Sequence, residues 1–302
     1  MSESFRPAAN TRPYLCMVCG AASFATMSTL VAWAGESCPW QVIAIVRTFL
    51  AMVFAASLAR ISGAQFVFFR PPVLWMRSLA GSLALLSGFF SLTRLPTTEV
   101  LTLTNMFPIW VAFLSWPLLR LKPDPSVWVA VACGVAGVVL MQQPQIKVGD
   151  YLWLVALSSS FWSALALIGL HQLRHLDARA VVTHFSAVSL AACIAGWFLF
   201  PHPAEPWSWT PSLVAILLGV GVSATSGQIL LTKAFAHGHP GKVSVVGLSQ
   251  VGFGMLLEWL FRHRSFNALT VTGMVLVLAP TAWVLLHERR SARAVAAAAP
   301  EE

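Results

Sequence analysis

Apolar residues fill this chain in blocks of about 20, the length that spans the hydrocarbon core of a bilayer as an α-helix. Clusters of turn formers separate the blocks. In the first half the pattern predicts spanning helices over Tyr14–Ala34, Trp40–Ala59, Val73–Leu92, Thr97–Leu119 and Val127–Met141. In the second half it predicts Tyr151–Leu170, Ala180–Phe200, Pro211–Phe235, Val243–Phe261 and Leu269–Leu286. Between them lie helix stoppers such as Gly35 to Pro39, Pro71-Pro72, Pro96, Pro123-Asp124-Pro125, Pro144, Gly238-His239-Pro240 and His263 to Asn267. The expectation is an all-α polytopic membrane protein of about ten transmembrane helices.

Composition agrees. Hydrophobic residues make up 57% of the chain and charged residues 10%, against about a quarter charged in soluble domains. That leaves too little polar surface for water, so the lipid bilayer is the expected solvent. The net charge of +8 does not point to nucleic acid, because the basic residues stand singly or in pairs at the ends of apolar runs. The five cysteines fall mostly inside those runs, and Cys16-Met17-Val18-Cys19 lacks the four ligands of a structural zinc. Neither a metal nor a cofactor is expected. The stretch after Arg6 and Arg12 reads as a retained first helix, since no small-residue cleavage site follows it.

Lys and Arg sort by side. With the N-terminus inside, Arg6, Arg12, Arg60, Arg70, Arg77, Arg120, Lys122, Arg174, Arg179, Lys233, Lys242, Arg289, Arg290 and Arg293 fall on the cytoplasmic side. Arg94, Lys147, Arg262 and Arg264 fall opposite, and Arg47 lies within a span. Both termini are expected in the cytoplasm, with the protein in the cell inner membrane. Shifting the sequence by 142 residues lays Arg120 on Arg262, Lys122 on Arg264, Thr102 on Ser244 and Trp128–Leu140 on Thr270–Ala282. Two five-helix repeats, over 14–142 and 150–287, would then sit inverted, with a cytoplasmic tail at 288–302. Inverted repeats suit alternating access around a midplane solute site. Two similar helix hairpins would produce the same offset by coincidence.

The chain resembles the drug/metabolite transporter superfamily, specifically its EamA-type ten-helix carriers. The resemblance rests on Pro39 followed by Arg47, on Leu95-Pro96-Thr97-Thr98-Glu99 running to Asn105-Met106-Phe107-Pro108, and on Lys122-Pro123 with Trp128 and Gly137. Ala234 to Gly241, Ser249-Gln250 and Gly273 resemble the matching part of a second copy. The chain departs from the family's pattern at Leu121 and His263, where Glu is frequent, and at Gln250, where Pro is usual. The resemblance implies a carrier fold and small metabolites as substrates.

Polar groups inside apolar spans are the candidates for solute contact. Arg47 lies about 4 Å from the midplane, where a charge must face a cavity or a partner. It either anchors an anionic solute group or fixes helix packing. Glu258, about 9 Å from the midplane, could pair with Arg47 or make an i,i+4 bond to Arg262. Asn105, Gln228, Ser249 and Gln250 could each bind solute or staple helices. Trp33, Trp110 and Trp162 could stack on a flat solute or anchor at the interface. Pro108 frees a backbone carbonyl near Asn105. The smooth face formed by Ala130, Gly134 and Gly137 suits close packing, including a homodimer seam through the fifth or tenth helix.

The function expected is transport of a small organic metabolite by facilitated diffusion, exchange or efflux. No Asp or Glu falls near the midplane, and no phosphate-cradling loop for ATP is present. The alternative is a proton-coupled exporter using Glu258. From other classes, a membrane-embedded enzyme would need a nucleophile–base pair, paired carboxylates or a metal cluster at one depth, and none is evident. A non-transporting sensor would be expected to bring a soluble domain.

Overall fold

A computed structural model describes residues 11–92, 94–144, 151–199, 207–262 and 265–297. Arg6, Lys147, Asp150, Glu205, His263 and Arg264 lie outside the described residues, as do the side chains of Arg262 and Arg293.

The described residues form α1 (Arg12–Ala34), α2 (Trp40–Ile61), α3 (Pro72–Leu92), α4 (Thr97–Thr104), α5 (Phe107–Leu119) and α6 (Pro125–Gln142). The second half forms α7 (Leu152–Gln172), α8 (Ala178–Leu199), α9 (Pro211–His237), α10 (Pro240–Gly247), α11 (Ser249–Arg262) and α12 (Ala268–Ala297). Ten stretches, taking α4 with α5 and α10 with α11, are long and apolar enough to cross a membrane. Proline opens α3, α6, α9 and α10, where its missing N–H costs nothing and its fixed φ suits the first turn. The Thr210 hydroxyl accepts from the Leu213 N–H at 3.2 Å and the Asn267 side-chain Oδ1 from the Thr270 N–H at 2.8 Å, capping α9 and α12. The last helix continues to Ala297, so the residues read as a tail begin as a helical extension.

Two spans are broken at mid-depth. The fourth interrupts at Asn105 and Met106, and α5 restarts with Pro108 in its first turn. The ninth interrupts at Leu248 with no proline nearby. Successive spans run back and forth between two faces. One carries the ends at Arg12, Ile61, Pro72 and His237, and is called the Arg12 face. The other carries Ala34, Trp40, Leu92 and Pro211, and is called the Trp40 face.

Helix packing follows a regular scheme. α1 packs on α9 and α3 on α7; α2 packs on both α8 and α9, and α8 also on α3. α6 packs on α12, α1 on α11 and α5 on α7. Each of these pairs has a counterpart five spans along the chain. Where α6 crosses α12, a Cβ on Gly137 would lie 2.7 Å from the Gly273 carbonyl oxygen, and one on Gly273 would lie 2.6 Å from that of Gly137. Gly134 faces Leu248, whose side chain fills the space a Cβ would need. The glycine face of the fifth span is therefore used within the chain and is not open to a second copy.

The largest buried cluster, including Tyr14, Leu74, Leu170, Leu173, Phe235 and Val243, lies toward the Arg12 face. Large apolar side chains such as Phe49, Phe113, Trp116, Phe198 and Val275 are exposed around the outside. Such a perimeter is stable only against hydrocarbon.

Candidate functional site

A cavity of about 330 Å³ lies between the helices, at the small end of the range for small-molecule sites. Its wall follows α3 from Arg77 through Gly81, Ala84, Leu85, Gly88 and Phe89 to Leu92, the last residue of that helix. The cavity thus reaches the Trp40 face. Toward the Arg12 face the lining stops at Met17, Arg77 and Leu231, and the large buried cluster closes the space beyond. Arg47, Gln228, Gln250, Phe107, Ser163 and Phe185 complete the polar and aromatic parts of the wall. Two guanidiniums line this space, and among the described residues no carboxylate does.

Arg77 forms the floor. It is 3% exposed, although it lies only five residues into α3. Its guanidinium carbon stands 3.8 Å from the centre of the Phe185 ring, and Nη2 donates to Gln228 Oε1 at 3.1 Å. Nε is buried and has no hydrogen-bond partner. Gly81 makes the seat possible, because a Cβ there would lie 2.7 Å from the Phe185 ring and 2.8 Å from Arg77 Nη1. A charge at the centre of a spanning helix costs roughly 2.5–3.5 kcal/mol on insertion scales, and a buried one off-centre still costs part of that. The ring contact returns about 0.5–2 kcal/mol, and a neutral amide is a weaker partner than a carboxylate. Folding alone does not require a cation here.

The ring beneath Arg77 is held from behind. Ser78 Oγ lies 2.8 Å from His184 Nδ1, and His184 Nε2 lies 3.2 Å from the Phe68 carbonyl oxygen. A carbonyl only accepts, so Nε2 carries the hydrogen and Nδ1 accepts from the serine hydroxyl. Ser82 and Ser189 join the same two helices at 2.9 Å. These bonds set the rotation of α8 and with it the position of Phe185.

The structure brings together Arg47, Gln228 and Gln250 from the sequence candidates and adds Arg77. Arg47 is half-buried in α2, nearer the Trp40 face. Asn105 turns its amide back to donate to the Leu101 carbonyl at 2.7 Å, closing the end of α4. Ser249 donates to the Val246 carbonyl at 2.7 Å across the break in the ninth span. Trp110 donates to Ser160 Oγ at 3.0 Å and meets Phe161 edge-on, as does Trp162. Trp33 stands edge-on to Phe261 with centroids 5.7 Å apart. None of these five lines the cavity, and Glu258 does not line it either. Lys/Arg sorting by side places Arg77 with the cytoplasmic helix ends; its place inside the Val73–Leu92 span, one turn before Gly81, is the sequence signal for its role at the cavity floor.

On the closed side, Lys242 Nζ donates to Glu288 Oε1 at 2.7 Å, tying α10 to the extension of α12. His239 sits in the turn before α10, and its Nδ1 is buried without a partner. Burial pushes the His239 imidazole below its ordinary range, and Lys242 adds to the shift. Among the described residues no group of His, Cys, Asp and Glu could hold a metal ion.

Residues 11–142 and again residues 151–286 match the pattern of the EamA-like transporter family. The pseudopaline exporter CntI of Pseudomonas aeruginosa is 27% identical over 267 residues, covering 87% of this chain and 92% of the relative. An uncharacterized transporter of Helicobacter pylori is 25% identical over 209 residues, covering 68% of this chain and 70% of its own. The human solute carrier family 35 member G1 is 20% identical, covering 68% of this chain and 60% of its own. A protein crystal structure 16% identical in sequence superposes with a TM-score of 0.80 over 92% of this chain and 98% of that chain, which establishes the fold.

Proposed function

We propose, from the premise that the chain belongs to the EamA-like transporter family, that it carries a small organic solute across the membrane by opening one central cavity to each face in turn. That it is a multi-pass membrane protein of a transporter family is the starting point; the switching and the solute site are our reading. The observation that carries it is a cavity with Arg47, Arg77, Gln228 and Gln250 in its wall, reaching the Trp40 face and stopped by packed core on the other. Polar wall at membrane depth needs such a purpose, because lipid gives it no partner.

The packing supports an inverted relation between residues 14–142 and 150–287. Pairs such as α1 with α9 and α7 with α3 exchange under a shift of five spans, and Gly137 and Gly273 meet reciprocally. An odd number of spans per copy makes the two halves antiparallel, so the cavity has an equivalent way of opening on the opposite face. Basic residues support a cytoplasmic Arg12 face in a cell inner membrane. Among the described residues Arg12, Arg60, Arg70, Arg120, Lys122, Arg174 and Arg179 fall there, against Arg94 and Arg262 on the other side. The exporter name of the Pseudomonas relative supports outward movement. A lining without a carboxylate supports facilitated movement or exchange over a proton relay through the cavity.

Purified protein in liposomes loaded with the deproteinised metabolite extract of the expression host provides the test. Release of a defined set of compounds, absent from protein-free liposomes and blocked by a disulfide engineered across the cavity mouth, is expected. Retention of every compound would remove the carrier reading.

A further inference from the structure

We infer that the solute is an organic anion whose oxyanion group docks on Arg77 at the cavity floor, with Arg47 as a second cationic contact nearer the mouth. The inference rests on the carrier reading and adds the class of solute to it.

The first support is Arg77 itself. It is almost wholly buried, its Nε has no partner, and its contacts are one neutral amide and one aromatic face. A buried cation normally has a carboxylate within reach. Here the protein places Phe185 beneath the guanidinium and Gln228 beside it, which orients the group without neutralising it. Gly81 removes the side chain that would displace the guanidinium. A counter-charge arriving with the solute completes the set, and guanidinium donors match the oxygens of carboxylates and phosphates.

The second support is Arg47. It lies in the same wall, and among the described residues no carboxylate lines that wall. By helix rise its Cα is about 10 Å from the Trp40 end of α2, and that of Arg77 is about 22 Å from the Leu92 end of α3. The two cations therefore stand at successive depths along one path. An anion entering from the Trp40 face meets Arg47 first and Arg77 last. Along this path Leu85, Phe89 and Phe107 offer apolar wall, so the body of the solute is organic and partly apolar. A cationic solute would face two like charges in a confined, poorly screened space, which rejects it.

The test uses the loaded liposomes at pH 7.5, with the released compounds identified by mass spectrometry in both ionisation modes. For wild-type protein the released set is expected to be anionic, and the spectra separate carboxylates from phosphates. Arg77→Gln should lower the initial rate at least tenfold, and Arg47→Gln should lower it less. Release of neutral or cationic compounds, or anion release unchanged in Arg77→Gln, would overturn the inference while leaving a carrier. No release by wild-type protein would remove the carrier and the inference together. The charge of the compounds moved by wild type decides the matter even where Arg77→Gln fails to fold, and Arg47→Gln supplies the second variant.

Discussion

Arg77 on the third span and Gln228 on the eighth are joined by a 3.1 Å hydrogen bond, so a residue near one end of its helix is tied to the far side of the cavity. The bond orients a charge whose burial the protein does not compensate. Function and stability should therefore separate at this position. In Arg77→Met, with the Phe185 contact partly kept, stability against thermal unfolding in detergent should equal or exceed that of wild type, by up to about 1–2 kcal/mol. Transport should be lost. A variant several degrees less stable than wild type would show instead that Arg77 is a packing residue.

Gly81→Ala tests the seat without touching the charge. The added Cβ would meet the Phe185 ring at 2.7 Å and Arg77 Nη1 at 2.8 Å. Overpacking of this kind costs about 1–3 kcal/mol, and the displaced guanidinium should slow transport severalfold. Gly254→Ala is the control, since nothing lies within 4 Å of the new atom. It should be neutral or stabilising by up to about 1 kcal/mol through helix propensity. Equal effects from the two substitutions, in thermal unfolding and in flux, would contradict the geometry.

The crossing of α6 and α12 should be less forgiving. A Cβ on Gly137 meets backbone at 2.7 Å and one on Gly273 meets backbone at 2.6 Å, so neither clash is relieved by turning a side chain. Each alanine should cost about 2–4 kcal/mol, and because both force the same two helices apart, the double variant should lose less than the sum. Strict additivity in thermal unfolding would mean that the two glycines do not share one contact.

Much of this architecture was legible in the chain. Span length and breakers define ten crossings, because lipid forces every spanning segment to be helical and long enough. Arg47, Gln228 and Gln250 were found by the rule that a polar group inside an apolar span needs a reason. The same rule passed over Arg77, because an arginine near a helix end ordinarily snorkels to the interface, whereas here Gly81 and Phe185 turn it inward. Asn105 obeys the rule differently, answering the open carbonyl of its own broken helix. The suggested pairing of Arg47 with Glu258 rests on depth alone; of the two, Arg47 lines the cavity and Glu258 does not. The break at Leu248 has no proline to announce it.

His239 gives the protein a pH dependence of predictable sign. Its folded imidazole titrates below the ordinary value of 6.5, chiefly through burial and then through Lys242, with Asp124 and Glu288 opposing. Below about pH 6.5 the unfolded chain therefore binds more protons at this residue than the folded one, and stability falls as the pH drops through that value. The thermal midpoint should decline between pH 7 and pH 5, and less steeply in His239→Gln. Identical slopes for the two proteins would assign the decline to other groups.

Glu258→Gln addresses the proton-coupled alternative. The carboxylate does not line the cavity, so the initial rate and its response to an imposed pH gradient should match wild type within a factor of about 2, well under the tenfold that 1.4 kcal/mol represents. Loss of a gradient-driven component would restore a coupling role for this residue.

Two guanidiniums with no carboxylate beside them also make the vacant site an electrical object. A unit charge crossing the full field is worth about 2.3 kcal/mol per 100 mV, and the proposed opening of the site to each face in turn would change the share of that field each guanidinium feels. Reorientation without cargo should then respond to voltage, while an anion in place cancels part of the displaced charge. A resting cell would bias the vacant form toward one side before any solute arrives.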